Sequence, residues 1–242
     1  QRQRCIRDRS TTTARDGLGP LFNTNACQNC HIKDGRGHPP AANAASAASM
    51  LVRLSIPAND SATHAELLRR QGVVPEPVYG GQLQDMSNPG VAPEGKVRVA
   101  YDLLTVTLGD GTQVELRKPR LQISQLGYGE MHADTLFSAR VAPPMIGLGL
   151  LEAIPESAIL AGEDPQDRDG DGIRGVANRV WDDALGTTVL GRFGWKAGQP
   201  NLNQQNVHAF SSDMGLTTHL LPHDECTAAV SYTHLRAHET RG

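Results

Sequence analysis

One pentapeptide limits what this chain can be more than anything else in it: Cys27-Gln28-Asn29-Cys30-His31. Cys-x-x-Cys-His is the attachment sequence of a c-type haem. The spacing has a chemical reason. Thiols at i and i+3 leave one helical turn on the same side, where each can bond a haem vinyl group. The imidazole that follows then lies beneath the porphyrin as the iron's proximal ligand. Cys27 and Cys30 are thus the expected attachment points and His31 the expected iron ligand. Three other readings stay open. The pair resembles a thioredoxin-type dithiol, which wants βαβ flanks where these are loop-like. It resembles half of a zinc site completed by His223 and Cys226. It also fits a chance occurrence in a structural loop.

Composition bears on the choice. Aromatic residues make up only 4% of the 242 and hydrophobic residues 38%, against 25 Gly and 15 Pro. A buried haem would supply apolar surface that such a loop-rich chain lacks. The formal net charge of −3 gives no reason to expect nucleic acid or an anionic membrane as partner. No stretch approaches the ~20 apolar residues of a membrane span. The chain opens at Gln1 with no signal peptide in view. Covalent haem attachment nonetheless argues for an exported, periplasmic protein, where a Cys5–Cys226 disulfide is one option.

Residues 1–9 read as non-native, and 231–242 resembles translated sequencing adapter, so His234 and His238 enter no site. That leaves one haem-binding domain over about 10–230. Gly35, Gly37, Pro39 and Pro40 stop the haem helix early. Met50–Ile56 alternates like a strand, and Ala65–Arg70 has a turn of helix. Lys96–Ser124 alternates clearly, with Gly109-Asp110-Gly111 as the turn of a hairpin. Leu148–Ile159 reads as helix with a new turn at Pro155, residues 163–180 as a Gly/Asp loop, and Pro200–Met214 as helix. The expected fold is a mainly α, cytochrome c-like haem domain, loop-rich, with an inserted antiparallel β-hairpin or meander at about 96–124.

Several runs, in order, resemble the bacterial di-haem oxidoreductase family of peroxidase-like proteins, also labelled thiol oxidoreductases. They are Asp16-Gly17-Leu18-Gly19-Pro20-Leu21-Phe22-Asn23, Asp34-Gly35-Arg36-Gly37, the stretch from Arg140 to Ile154, Asn178-Arg179-Val180-Trp181, and Gly191-Arg192-Phe193-Gly194-Trp195-Lys196-Ala197. The resemblance implies two c-type haem domains, distant similarity to bacterial cytochrome c peroxidases, and electron transfer coupled to peroxide reduction or another oxidation. This sequence holds one Cys-x-x-Cys-His where the family has a second downstream. The expectation is an N-terminal portion whose partners are small redox proteins or a second haem domain.

The iron's other axial ligand decides the chemistry: a Met suits electron transfer, an open position admits peroxide. Met145, in an apolar Gly/Pro-bounded run, is the first candidate, with Met131, His132, His208 and Met214 behind it. At an open site Glu152 would move protons and Arg140 would stabilise negative charge or meet a propionate, unless the two simply pair with each other. Asp167, Asp169 and Asp171 open a calcium-loop pattern that lacks the Glu of an EF-hand, since Asn178 stands there. Calcium and a solvated turn are both open. A mono-haem electron carrier without catalysis, and a zinc- or calcium-stabilised module without haem, are the rival functions.

Overall fold

The computed structural model describes residues 18–222 apart from 43 and 45–47, so Cys5, His223 and Cys226 lie outside the described residues. In chain order the elements are β1 (Leu21–Phe22), α1 (Cys27–Cys30), β2 (Met50–Ser55), α2 (Ala62–Gln71), β3 (Met86–Ser87), β4 (Lys96–Thr107) and β5 (Gln113–Ser124). After them come β6 (Leu136–Val141), α3 (Leu148–Ala153), α4 (Glu156–Leu160), β7 (Arg179–Asp182), β8 (Thr187–Leu190) and α5 (Leu202–Met214).

The expectation of a mainly α fold is wrong. Of the described residues 20% are helical and 28% are in strand, in small antiparallel sheets. The reason is local. Among the described residues every helix but α2 and α5 is only one or two turns long, too short to stand alone, and Gly147, Pro155 and Gly162 bound two of them, α3 and α4. Backbone groups freed in this way pair instead across four two-stranded sheets: β1–β3, β2–β6, β4–β5 and β7–β8. The stretch 96–124 is one hairpin rather than a meander, in register from Lys96 opposite Ser124 to Thr107 opposite Gln113. Its base turns Val97 and Val99 into the core, while Leu103 and Leu104 near the tip are 64% and 52% exposed.

Two apolar clusters hold the fold. One gathers Val52, Leu54, Tyr79, Leu83 and Val97, so the inner face of β2 anchors it. Burying side chains of this size stabilises by about 1.5–3 kcal/mol each. Beside β2 runs the segment 74–83, bridged at Ile56–Val74 and Arg53–Gln82. Glu76, 1% exposed, closes the turn there: its carboxylate accepts from Val78 N, Tyr79 N and His132 N at 2.6, 2.6 and 2.8 Å. The second cluster is Leu18, Phe22 and Met214, with Cys27 and Phe210 packed against it. It docks the N-terminal segment on α5, whose N-cap is Asn201, accepting from Gln204 N. The helix stops at Gly215, φ 66°, where a β-carbon would lie 2.5 Å from Leu21 O.

Candidate functional site

Helix α1 is a single turn, closed by His31 N donating to Cys27 O at 2.8 Å. After it Lys33 and Asp34 take left-handed backbone, φ 54° and 59°, and turn the chain back. Gly37 then passes so close to α1 that a β-carbon would sit 2.7 Å from Ser49 Cβ and 2.9 Å from Cys30 O. This returning segment is laced to the run after β6: Gly37 N donates to Ala142 O and Met145 N to Asp34 O, both at 2.9 Å.

The lacing brings Pro143 over the haem motif. His31 Nδ1 lies 2.8 Å from Pro143 O, a hydrogen bond spanning 112 residues of sequence. A carbonyl only accepts, so the ring carries its proton on Nδ1 and presents Nε2 as a bare lone pair. Metal-ligating imidazoles are held in this way by an outer partner.

Two adjoining cavities meet at His31. The smaller, about 400 Å³, is lined by Cys27, Cys30, His31, Met145, Leu148 and Met214 among others. The larger, about 530 Å³, also reaches Cys30 and His31 and is walled by Arg53, Asp85, Arg140 and His208. Trp195 lines both, its Nε1 donating to Val141 O at 2.8 Å while Arg36 lies 5.4 Å over its ring. Both volumes fall in the range of sites for small ligands and cofactors.

Neither Cys27 nor Cys30 is in a disulfide. Cys30 Sγ donates to Ala48 O at 2.8 Å. Burial, with Asp213 and then Asp85 adding to it against a Thr24 hydrogen bond, pushes the thiol up to about 11. What counts against the thioredoxin-type reading is the setting: α1 is a single turn that does not follow a strand of a βαβ unit. The donor set fits a haem: two thiols outside any disulfide and an oriented imidazole within five residues, facing a mostly apolar cavity with a thioether at Met145.

The other expected residues are dispersed. Met145 joins the cysteine cavity; Met214 does too, but as part of the second core cluster. His208 lines the larger cavity, its Nε2 3.5 Å from Asp183 Oδ2. Met131 packs on the first cluster, and His132 Nδ1 accepts from Asp134 N; neither borders a cavity at His31. Arg140 walls the larger cavity, whereas Glu152 is exposed and its Oε1 accepts from Leu202 N, capping α5. They do not pair. Arg192 instead secures the end of α3 through the carbonyls of Leu151, Glu152 and Ile154. In the acidic loop the carboxylates that converge, with oxygens within 4.8 Å of one another, are Asp164, Asp167 and Asp169. Asp171 turns to its own loop, accepting from Ile173 N.

Sequence reasoning passed over Arg53, Asp85, Asp213 and Pro143 as site residues. Pro143 and Trp195 stood inside runs singled out for their resemblance; the other three carried no signal apart from their place in the fold. No helix among the described residues is long and apolar enough to cross a membrane. A family model described as "Di-haem oxidoreductase, putative peroxidase" matches residues 5–240. No curated protein and no solved structure gives a significant match.

Proposed function

The chain belongs to the di-haem oxidoreductase family, and from that premise we propose that it carries a covalent c-type haem and serves electron transfer in a peroxidase-like oxidoreductase. The observation that supports this most is the 2.8 Å contact of His31 Nδ1 with Pro143 O at a cavity shared with Cys27 and Cys30. Cys27 and Cys30 would hold the group and His31 Nε2 would ligate its iron, with Met145, a thioether lining the same cavity, as the candidate for a second iron ligand. When bound, the haem supplies a one-electron iron couple and, if one axial position is open, a seat for peroxide.

The protein's own residues do the rest. Pro143 keeps the imidazole in the ligating tautomer, and Trp195, Leu148 and Met214 keep water from the apolar side. Arg140 places positive charge in the larger cavity, and His208, backed by Asp183, is the imidazole there able to move a proton. Covalent attachment implies export to the periplasm, and the partners would be a second haem domain or small redox proteins. Calcium would sit between Asp164, Asp167 and Asp169, which differs from the expected set by one residue.

The test is an absorption spectrum of the reduced protein, from a host competent in c-type haem maturation, with and without carbon monoxide. Absence of a covalent haem spectrum sinks the proposal. Bands that shift with carbon monoxide assign a peroxidase-like open or displaceable position. Bands that stay put assign a firm second ligand and an electron-transfer role, and a Met145→Ala variant should then become sensitive to carbon monoxide.

A further inference from the structure

Strands β2 and β6 pair with Leu51 opposite Arg140 and Arg53 opposite Ser138. Opposed residues of an antiparallel pair share a face, as do residues two apart on one strand. Arg53 and Arg140 therefore stand as diagonal neighbours on the face away from Val52 and Leu54, and both line the larger cavity. Two guanidiniums so placed repel, and burial together with Arg53 holds Arg140 below the usual arginine range.

Among the described residues neither arginine forms an ion pair. The side-chain bond of Arg140 is a long one, 3.4 Å from Nε to Ser138 Oγ. The cavity's own acids, Asp85 and Asp213, form no ion pair with either arginine and take hydrogen bonds from side-chain amides: Asp85 from Asn23 Nδ2 at 3.0 Å and Asp213 from Gln82 Nε2 at 2.9 Å. Adjacent, partly desolvated like charges are unfavourable without a counter-ion. The guanidinium fork matches a carboxylate in two parallel hydrogen bonds.

We infer that Arg53 and Arg140 form a carboxylate-binding site in the wall of the larger cavity. The carboxylate comes either from the propionate edge of the haem itself or from a small carboxylate ligand entering beside it. The first source rests on the haem reading above. A cation against the haem edge favours the reduced, less positive state, so its removal lowers the reduction potential.

The experiment uses holoprotein whose covalent haem spectrum has first been verified, so failure of the haem reading is seen separately, as no spectrum at all. Reduction potentials are measured for the wild type, R53Q and R140Q, and the oxidised proteins are titrated with acetate while the Soret band is followed. A propionate source predicts a lower potential in both variants and no saturable acetate effect. A free carboxylate predicts unchanged potentials and a saturable acetate response that weakens at least tenfold in the variants. Should the glutamine variants not fold, R53K and R140K keep the charge and lose the fork. The propionate-bending Raman band then moves for the first source, and acetate affinity drops for the second. Potentials, Raman band and acetate response all unchanged would overturn the inference.

Discussion

Truncating Glu76 tests how the wall of the site is held in place. The carboxylate is 1% exposed and accepts three backbone N–H groups, from Val78, Tyr79 and His132. Glu76→Ala removes both acceptor oxygens at once and leaves three backbone donors without them, one at buried Tyr79 and two at the less buried Val78 and His132. An unsatisfied donor costs about 1–3 kcal/mol when buried and less when water can reach it, so with one buried donor and two less buried ones the loss should total about 2–4 kcal/mol. Against the 5–15 kcal/mol of an ordinary domain, that is a large share. Glu76→Gln keeps one carbonyl acceptor and meets the remaining donors with an NH₂ group, so it should fall between wild type and Ala. The assay is urea unfolding of the holoprotein, read as a shift in midpoint with the slope held. Because 74–83 lies beside β2, the same variants should loosen Arg53 and alter acetate binding or potential in the same order. A loss below about 1 kcal/mol for Ala, or Gln worse than Ala, would refute the reasoning.

Other outcomes follow from single contacts. Burial holds the Asp85 carboxyl above its ordinary value of 3.8; the folded state then binds more protons than the unfolded, so stability falls as pH rises from about 4 through that raised value. Asp85→Asn should remove this downward slope in unfolding free energy measured between pH 4 and 7. Gly37→Ala forces a methyl to within 2.7 Å of Ser49 Cβ, and overpacking of this kind costs about 1–3 kcal/mol, visible as a drop in Tm. Of the two tryptophans, Trp195 lines both cavities; with haem attached its emission should be quenched, so Trp181→Phe holoprotein should be dimmer than Trp195→Phe. Equal brightness would place the haem elsewhere. Calcium should raise the Tm of the wild type, and Asp164→Asn with Asp167→Asn should abolish the rise.

Local pattern in the sequence was informative where it met a strong turn. Alternation on both sides of Gly109-Asp110-Gly111 marks the hairpin, and Pro155 does begin a second short helix, α4. Strands β6 to β8 escaped because they are short and their partners lie far off or carry mixed polarity: Arg179-Val180-Trp181-Asp182 has no period to read. The mainly α expectation came from resemblance to cytochromes and ignored what many short, Gly/Pro-bounded runs imply for helix length. Cys27, Cys30 and His31 stand out in the sequence because haem attachment restricts residue types and spacing, and Met145 because it lies in an apolar Gly/Pro-bounded run; all four line one cavity. Arg53 and Asp85 do not stand out, since a lone Arg on a strand or Asp in a loop is ordinary until β2–β6 pairing and the 74–85 segment bring them to one cavity.

The 112 residues separating His31 from its Pro143 partner also set a local requirement apart from a long-range one. If the chain carries the proposed covalent haem, attachment would need only the one turn of α1, which is local in sequence. Orienting the imidazole requires closing that long loop, an entropic cost of about 4 kcal/mol beyond the constant term. A chain that already carries its haem brings a large apolar disc to the encounter, around which β6, α3 and α5 can gather. On the proposed reading, a chain deprived of the cofactor would lose more than a redox centre: it would lose the object on which the distant halves of the cavity converge.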